Sequence, residues 1–224
     1  MIHGHGGNVA ALAEQLGCRP DEIVDMSSNI NPLGAVPGLI DHLKEQLDRI
    51  RVLPEVDGRA AIRAIADLLG VAEQRVLAGG GTTQFIYTAC AALSSRRVLI
   101  VGPTYADYTD GCRVHGIEPD FFLAGPETGF EPDLQRLDSA LSGYDTVFIC
   151  NPNNPTGQLI GHDALLHLCR RHPQVYFVVD ESYLPFVPAD QGASLSTYRL
   201  DNVLVLWSVS KIFGMPGLRP GFLV

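Results

Sequence analysis

The 224 residues are 46% hydrophobic and 18% charged, which fits a globular chain that buries one substantial core and argues against disorder. Sixteen basic residues scattered among twenty-five acidic ones leave a net charge of -9, so a binder of the nucleic-acid backbone is not indicated. The five cysteines (Cys18, Cys90, Cys112, Cys150, Cys169) form no C-x-x-C pair, which speaks against a disulfide framework or a zinc knuckle and for buried thiols in a reducing compartment.

The chain opens Met1-Ile2-His3-Gly4-His5-Gly6-Gly7, with no basic and then apolar leader, and no later stretch approaches 18 uninterrupted apolar residues. A cytoplasmic protein with no membrane partner is expected. His3 and His5 lack a third ligand, so no metal site is expected either. A helix is predicted over residues 8–16, and a second over 37–47 after the Pro/Gly-punctuated run Ser27-Ser28-Asn29-Ile30-Asn31-Pro32-Leu33-Gly34. No internal repeat interrupts this. Residues 1–50 read as an N-terminal arm on the substrate side, and 51–224 as the main domain.

From about residue 60, helical periods alternate with short apolar runs at 98–101, 146–150, 175–179 and 203–207. Each run is apolar on both faces, as in a buried parallel strand, and the segments 132–141 and 162–171 are long enough for crossover helices. The pattern predicts a three-layer α/β/α fold with a mainly parallel sheet. Residues 218–224 read as entry into a further strand, and an incomplete chain is expected from this ending.

Polar residues follow three of the predicted strands: Asn151 to Asn154, Asp180-Glu181, and Ser208 to Lys211. Ligands of open α/β sheets bind at the carboxyl ends of strands, so these clusters are expected to share one crevice. Lys211 at a strand end, with Arg219 nearby, suits an amine nucleophile whose pKa must fall well below about 10.4 to attack an aldehyde at neutral pH. Asp180 closes a run of apolar residues, where a carboxylate needs a cation, for example a protonated ring nitrogen. Tyr183 and Asn154 can reach an oxygen on the same ring, and Tyr105 offers it an aromatic face. Gly79-Gly80-Gly81-Thr82-Thr83 precedes the apolar stretch 85–93, so its amides would face an anion at a helix start, with Ser208, Ser210 and Arg219 adding donors. Singly, each has a plainer reading: a surface lysine, a helix-capping aspartate, a packing tyrosine, a simple turn.

Taken together, Asn154-Pro155-Thr156-Gly157, Asp180-Glu181-x-Tyr183 and Ser208-x-Ser210-Lys211 with Gly217-Leu218-Arg219-x-Gly221 resemble the fold type I aminotransferase superfamily, nearest its histidinol-phosphate aminotransferase branch. His5-Gly6-Gly7-Asn8 followed by residues 25–34 narrows the resemblance to the threonine-phosphate decarboxylase family. It implies pyridoxal 5'-phosphate as cofactor, held by Lys211 as a Schiff base, with Gly81, Thr82, Thr83, Tyr105, Asn154, Asp180, Tyr183, Ser208, Ser210 and Arg219 around it. It further implies His5 and Asn29 at the substrate, a phosphorylated amino acid, and a homodimer.

Departures from the family pattern are visible. Leu53 stands where relatives often place a tyrosine that reaches the partner's cofactor phosphate, and Gly79-Gly80-Gly81 replaces Gly-Asn-Gly. The small C-terminal domain, with the arginine expected to hold the substrate carboxylate, is not in this chain. Decarboxylation of L-threonine O-3-phosphate in cobalamin biosynthesis is the function implied first. Transamination of histidinol phosphate or another amino acid, and a truncated chain that binds cofactor without turnover, stay open. Ser208-x-x-Lys211 also satisfies the S-x-x-K pattern of penicillin-binding hydrolases, but no Ser-Asp-Asn or Lys-Thr-Gly accompanies it.

Overall fold

The computed structural model describes residues 7–224. Two short helices, α1 (Val9–Leu16) and α2 (Leu39–Glu45), lead to α3 (Arg59–Leu69) and the first strand, β1 (Leu77–Gly80). There follow α4 (Thr82–Ala92), β2 (Val98–Gly102), α5 (Asp107–Val114), β3 (Asp120–Leu123) and α6 (Leu134–Ala140). The chain continues through β4 (Thr146–Cys150), α7 (His162–Arg171), β5 (Tyr176–Asp180), β6 (Val203–Ser208) and β7 (Pro220–Leu223). The four apolar runs are strands within a residue or so of expectation. The second predicted helix is shorter than 37–47, because the chain leaves α2 for a separate 3₁₀ turn at Leu47–Arg51.

The strands form one seven-stranded sheet in the order β1-β7-β6-β5-β4-β2-β3. β2 through β6 run parallel, whereas β7 pairs antiparallel with both β6 and β1. Side chains alternate across a strand, and each apolar run therefore feeds two cores. On one face Val147, Ile149, Phe177 and Val179 pack with Leu137 of α6 and Leu165 of α7. On the other, Ile100, Phe148 and Val178 meet Ile86 of α4 and Tyr108 of α5. A third cluster seats Ile65 and Ala66 of α3 against Trp207 and Phe222. Helices thus cover both faces, as the three-layer expectation requires.

Side chains close the connections. Asn202 donates to the carbonyls of Cys169, His172 and Val175, each at 3.0 Å, tying the end of α7 to the start of β5. Asp145 accepts from the Arg96 and Arg97 amides at 2.9 Å, fixing the entry to β2 beside β4. Asp133 caps α6 through the Gln135 and Arg136 amides. Strand β2 lies between β3 and β4, the point at which the sheet order reverses, so its carboxyl end and that of β4 open a crevice.

Candidate active site

The strand ends deliver their polar residues to one place. Gly81, Thr82, Thr83, Tyr105, Asn154 and Asp180 line a narrow crevice of about 90 Å³, together with Tyr183, Ser208, Ser210, Lys211 and Arg219. The residues named for the cofactor are all there, whereas Gly79, Gly80, Asn151, Asn153 and Glu181 of the same runs do not line it. Three more line it that the sequence did not point to: Tyr108, Cys150 and Ser182. Tyr108 lies on α5, where Asp107, Thr109, Asp110 and Gly111 obscure any apolar period, and its spacing of three from Tyr105 is the one signal the sequence offers.

Asp180 forms the floor. It is 5% exposed; its Oδ1 accepts from the Ser182 amide and its Oδ2 from the Tyr108 hydroxyl, each at 2.9 Å. Burial pushes its carboxyl above the ordinary range, while the Ser182 and Tyr108 hydrogen bonds and the Lys211 charge pull it back. A carboxylate so placed calls for a cation in the crevice. Lys211 is half-buried above it, and its amine is pushed below the usual lysine range by burial first and the Arg219 guanidinium second, with Asp180 opposing. More of the neutral, nucleophilic amine is present at a given pH than for a surface lysine.

The opposite end suits an anion. Gly81 enters α4 at a φ of +82°, a positive value natural to glycine, and the start of that 11-residue helix borders the crevice. Arg219 donates to Thr83 Oγ1 at 3.3 Å. A Cβ on Gly221 would strike the Gly81 carbonyl carbon and the Thr82 nitrogen, so β7 passes hard against this turn and anchors it. The Ser210 amide donates to Ser208 Oγ at 3.1 Å, which orients that hydroxyl. Ser208 is the last residue of β6, not part of a helix, so the geometry of an S-x-x-K serine hydrolase is absent at this pair.

A phosphate cradle at one end, a buried carboxylate at the other and a depressed amine between them fit a phosphorylated pyridine aldehyde. Tyr105 stands at the flank, edge-on to Tyr108 with ring centroids 5.8 Å apart. Asn29 donates to Asn154 Oδ1 at 3.3 Å and lines the same pocket as the Tyr183 phenol, whose pKa burial raises. Beyond these three residues a wider pocket of about 590 Å³ opens, lined further by Asn153, Phe186, Val187 and Gln191. The Asn31 amide donates to the Lys211 carbonyl at 3.1 Å, and Asn31 Nδ2 to the Ile212 carbonyl at 2.8 Å, so the Ser27–Gly34 run is docked on the lysine loop. His5 lies outside the described residues. Leu53 is 94% exposed and does not reach the crevice.

Fold and crevice together define a class: a doubly wound α/β protein whose strand-end crevice carries a donor set suited to a phosphorylated pyridine aldehyde. Residues 21–224 match the model of the aminotransferase class I and II family, and the chain belongs to that family. Its cofactor is pyridoxal 5'-phosphate. The chain is 33% identical over 222 residues to threonine-phosphate decarboxylase of Salmonella typhimurium, covering 98% of this chain and 61% of the relative. It is 31% identical to histidinol-phosphate aminotransferase of Moorella thermoacetica, covering 97% of this chain and 57% of that protein. The crystal structure of L-threonine-O-3-phosphate decarboxylase from Porphyromonas gingivalis is similar at a TM-score of 0.78 and 32% identity, over 90% of this chain and 60% of that one. The chain therefore spans about 60% of the length of these relatives.

Proposed function

We propose that the protein carrying this chain is a pyridoxal-phosphate decarboxylase of L-threonine O-3-phosphate, a step of cobalamin biosynthesis, acting as a cytoplasmic homodimer. The observation that carries the choice is Asn29. It belongs to the N-terminal motif, yet it hydrogen-bonds Asn154 and lines the wider pocket where Asn154 and Tyr183 border the cofactor crevice. A motif residue there touches both the cofactor's ring oxygen side and the entering substrate. The Salmonella and Porphyromonas decarboxylases among the similar proteins support the same reading. The similarity to histidinol-phosphate aminotransferases supports a second one, transamination, which uses the same crevice.

When bound, the cofactor supplies an electron sink for the carbanion formed at the substrate α-carbon. The chain's residues do the rest. Lys211 would attach the cofactor through its Nζ, and its amine, when free, would carry a proton at the substrate α-carbon. Asp180 would keep the ring nitrogen protonated, and Asn154 and Tyr183 would be the donors for the ring oxygen. Gly81, Thr82, Thr83, Ser208, Ser210 and Arg219 hold the phosphate, Tyr105 covers a ring face, and His5 and Asn29 engage the substrate. Exposed apolar side chains on the segment that carries Leu53 support the dimer, and a monomer with full activity would contradict it. Among the described residues no helix is long and apolar enough to cross a membrane.

Incubating the enzyme with O-phosphothreonine tests the reading. Carbon dioxide release without keto acid is expected. Keto acid without carbon dioxide would instead assign transamination.

A further inference from the structure

Tyr108 is 1% exposed, and nothing about packing requires its hydroxyl. Its ring stacks on Phe148 at 5.4 Å and 23°, and takes the Tyr105 ring on edge at 83°, contacts a phenylalanine would make as well. A buried hydroxyl is costly unless it is hydrogen-bonded, and this one donates to Asp180 Oδ2 at 2.9 Å. Of the neighbouring side chains, Cys150, opposite Asp180 in the sheet register, has its thiol on the Pro152 carbonyl at 3.2 Å, and the buried Ser182 hydroxyl makes no hydrogen bond among the described residues. Asp180 Oδ1 is already met by the Ser182 amide. Each carboxylate oxygen has a second lone pair, so both bonds leave Asp180 able to accept from the crevice.

We propose that Tyr108 is a positioning residue: it fixes Asp180 as an ionised acceptor and sets how far the proton shared with the cofactor's ring nitrogen lies toward that nitrogen. The ring nitrogen and Asp180 share one proton, and its position follows their relative basicity. A donor on Oδ2 makes the carboxylate a weaker base, which leaves the proton on the nitrogen. Two aromatic contacts lock the phenol, so the donor is in place before the cofactor arrives. The role depends on pyridoxal phosphate filling the crevice and not on whether a carboxylate or a proton leaves the substrate.

The test uses cofactor labelled with nitrogen-15 in the ring, bound to the wild-type protein, to Tyr108→Phe, and to protein carrying a fluorotyrosine at position 108 alone. In Tyr108→Phe the ring nitrogen resonance is expected to move toward the neutral pyridine position, with cofactor affinity falling about tenfold or more. Fluorination makes the phenol a stronger donor, and the resonance is expected to move the other way, toward pyridinium. Resonances that coincide in all three proteins overturn the proposal, even if Tyr108→Phe melts earlier, because a packing role alone would move stability and leave the nitrogen untouched. If Tyr108→Phe does not fold, the fluorotyrosine protein decides by the same criterion. Wild-type protein that binds no cofactor overturns the crevice assignment and this role with it, whereas bound cofactor with an unmoved resonance overturns the role of Tyr108 alone.

Discussion

The cofactor crevice and the N-terminal segment are built on opposite terms. The crevice gathers charged and polar groups into the buried ends of a parallel sheet, where Asp180 and Glu181 are 5% and 2% exposed. The segment before α3 does the reverse, exposing large apolar side chains such as Leu53 and Val56, at 94% and 101%. Polar groups buried at a cost mark a candidate functional site. Apolar groups left in water in such a run mark a candidate contact surface, the one proposed above for the dimer.

Removing the amine would break the first half of that contrast outright. Lys211→Ala is expected to abolish covalent attachment of pyridoxal phosphate, read as loss of the visible absorbance band of the Schiff base, with the apo-protein's melting temperature near that of wild type. The buried carboxyl next to the site should give a smaller effect that depends on pH. Burial pushes Glu181 up to about 7 from 4.5, against hydrogen bonds donated by Ser194 and the Leu195 amide. A carboxyl raised in this way contributes stability that is fully present below pH 4.5 and is lost as pH rises through about 7. Glu181→Gln cannot ionise, so denaturant titrations should show a flatter stability profile than wild type across that window; parallel profiles would mean Glu181 is ionised throughout. The smallest effect on folding is expected at the exposed segment. Leu53→Asp should change the stability of the monomer by less than about 0.5 kcal/mol while weakening self-association in sedimentation. An unchanged dimer would move the interface elsewhere.

Much of the fold and of the crevice is legible in the sequence. The strands β2, β4, β5 and β6 announce themselves because a strand buried on both faces has no room for polar residues, and the site residues announce themselves because polarity returns abruptly where those strands end. The short edge strands are not legible. Leu77–Gly80 has two glycines and Asp120–Leu123 begins on an acid, so neither shows the two-sided apolar run of an interior strand. The apolar stretch from Phe85 does not mark the true start of α4, whose first turn, from Thr82, lacks apolar side chains although it is the part that faces the crevice.

Composition and spacing determined the layered α/β class and the parallel core strands, because both follow from local rules of side-chain period; strand-end polarity together with the family resemblance picked out the candidate cofactor residues. Only tertiary structure decided that β7 enters the sheet antiparallel and presses Gly221 against the Gly81 turn, that Asn29 reaches Asn154 across 125 residues of sequence, and that Tyr108 stands behind Asp180. Those are contacts between distant segments. They depend on how packed layers register against one another, and no periodicity within a single segment carries that information.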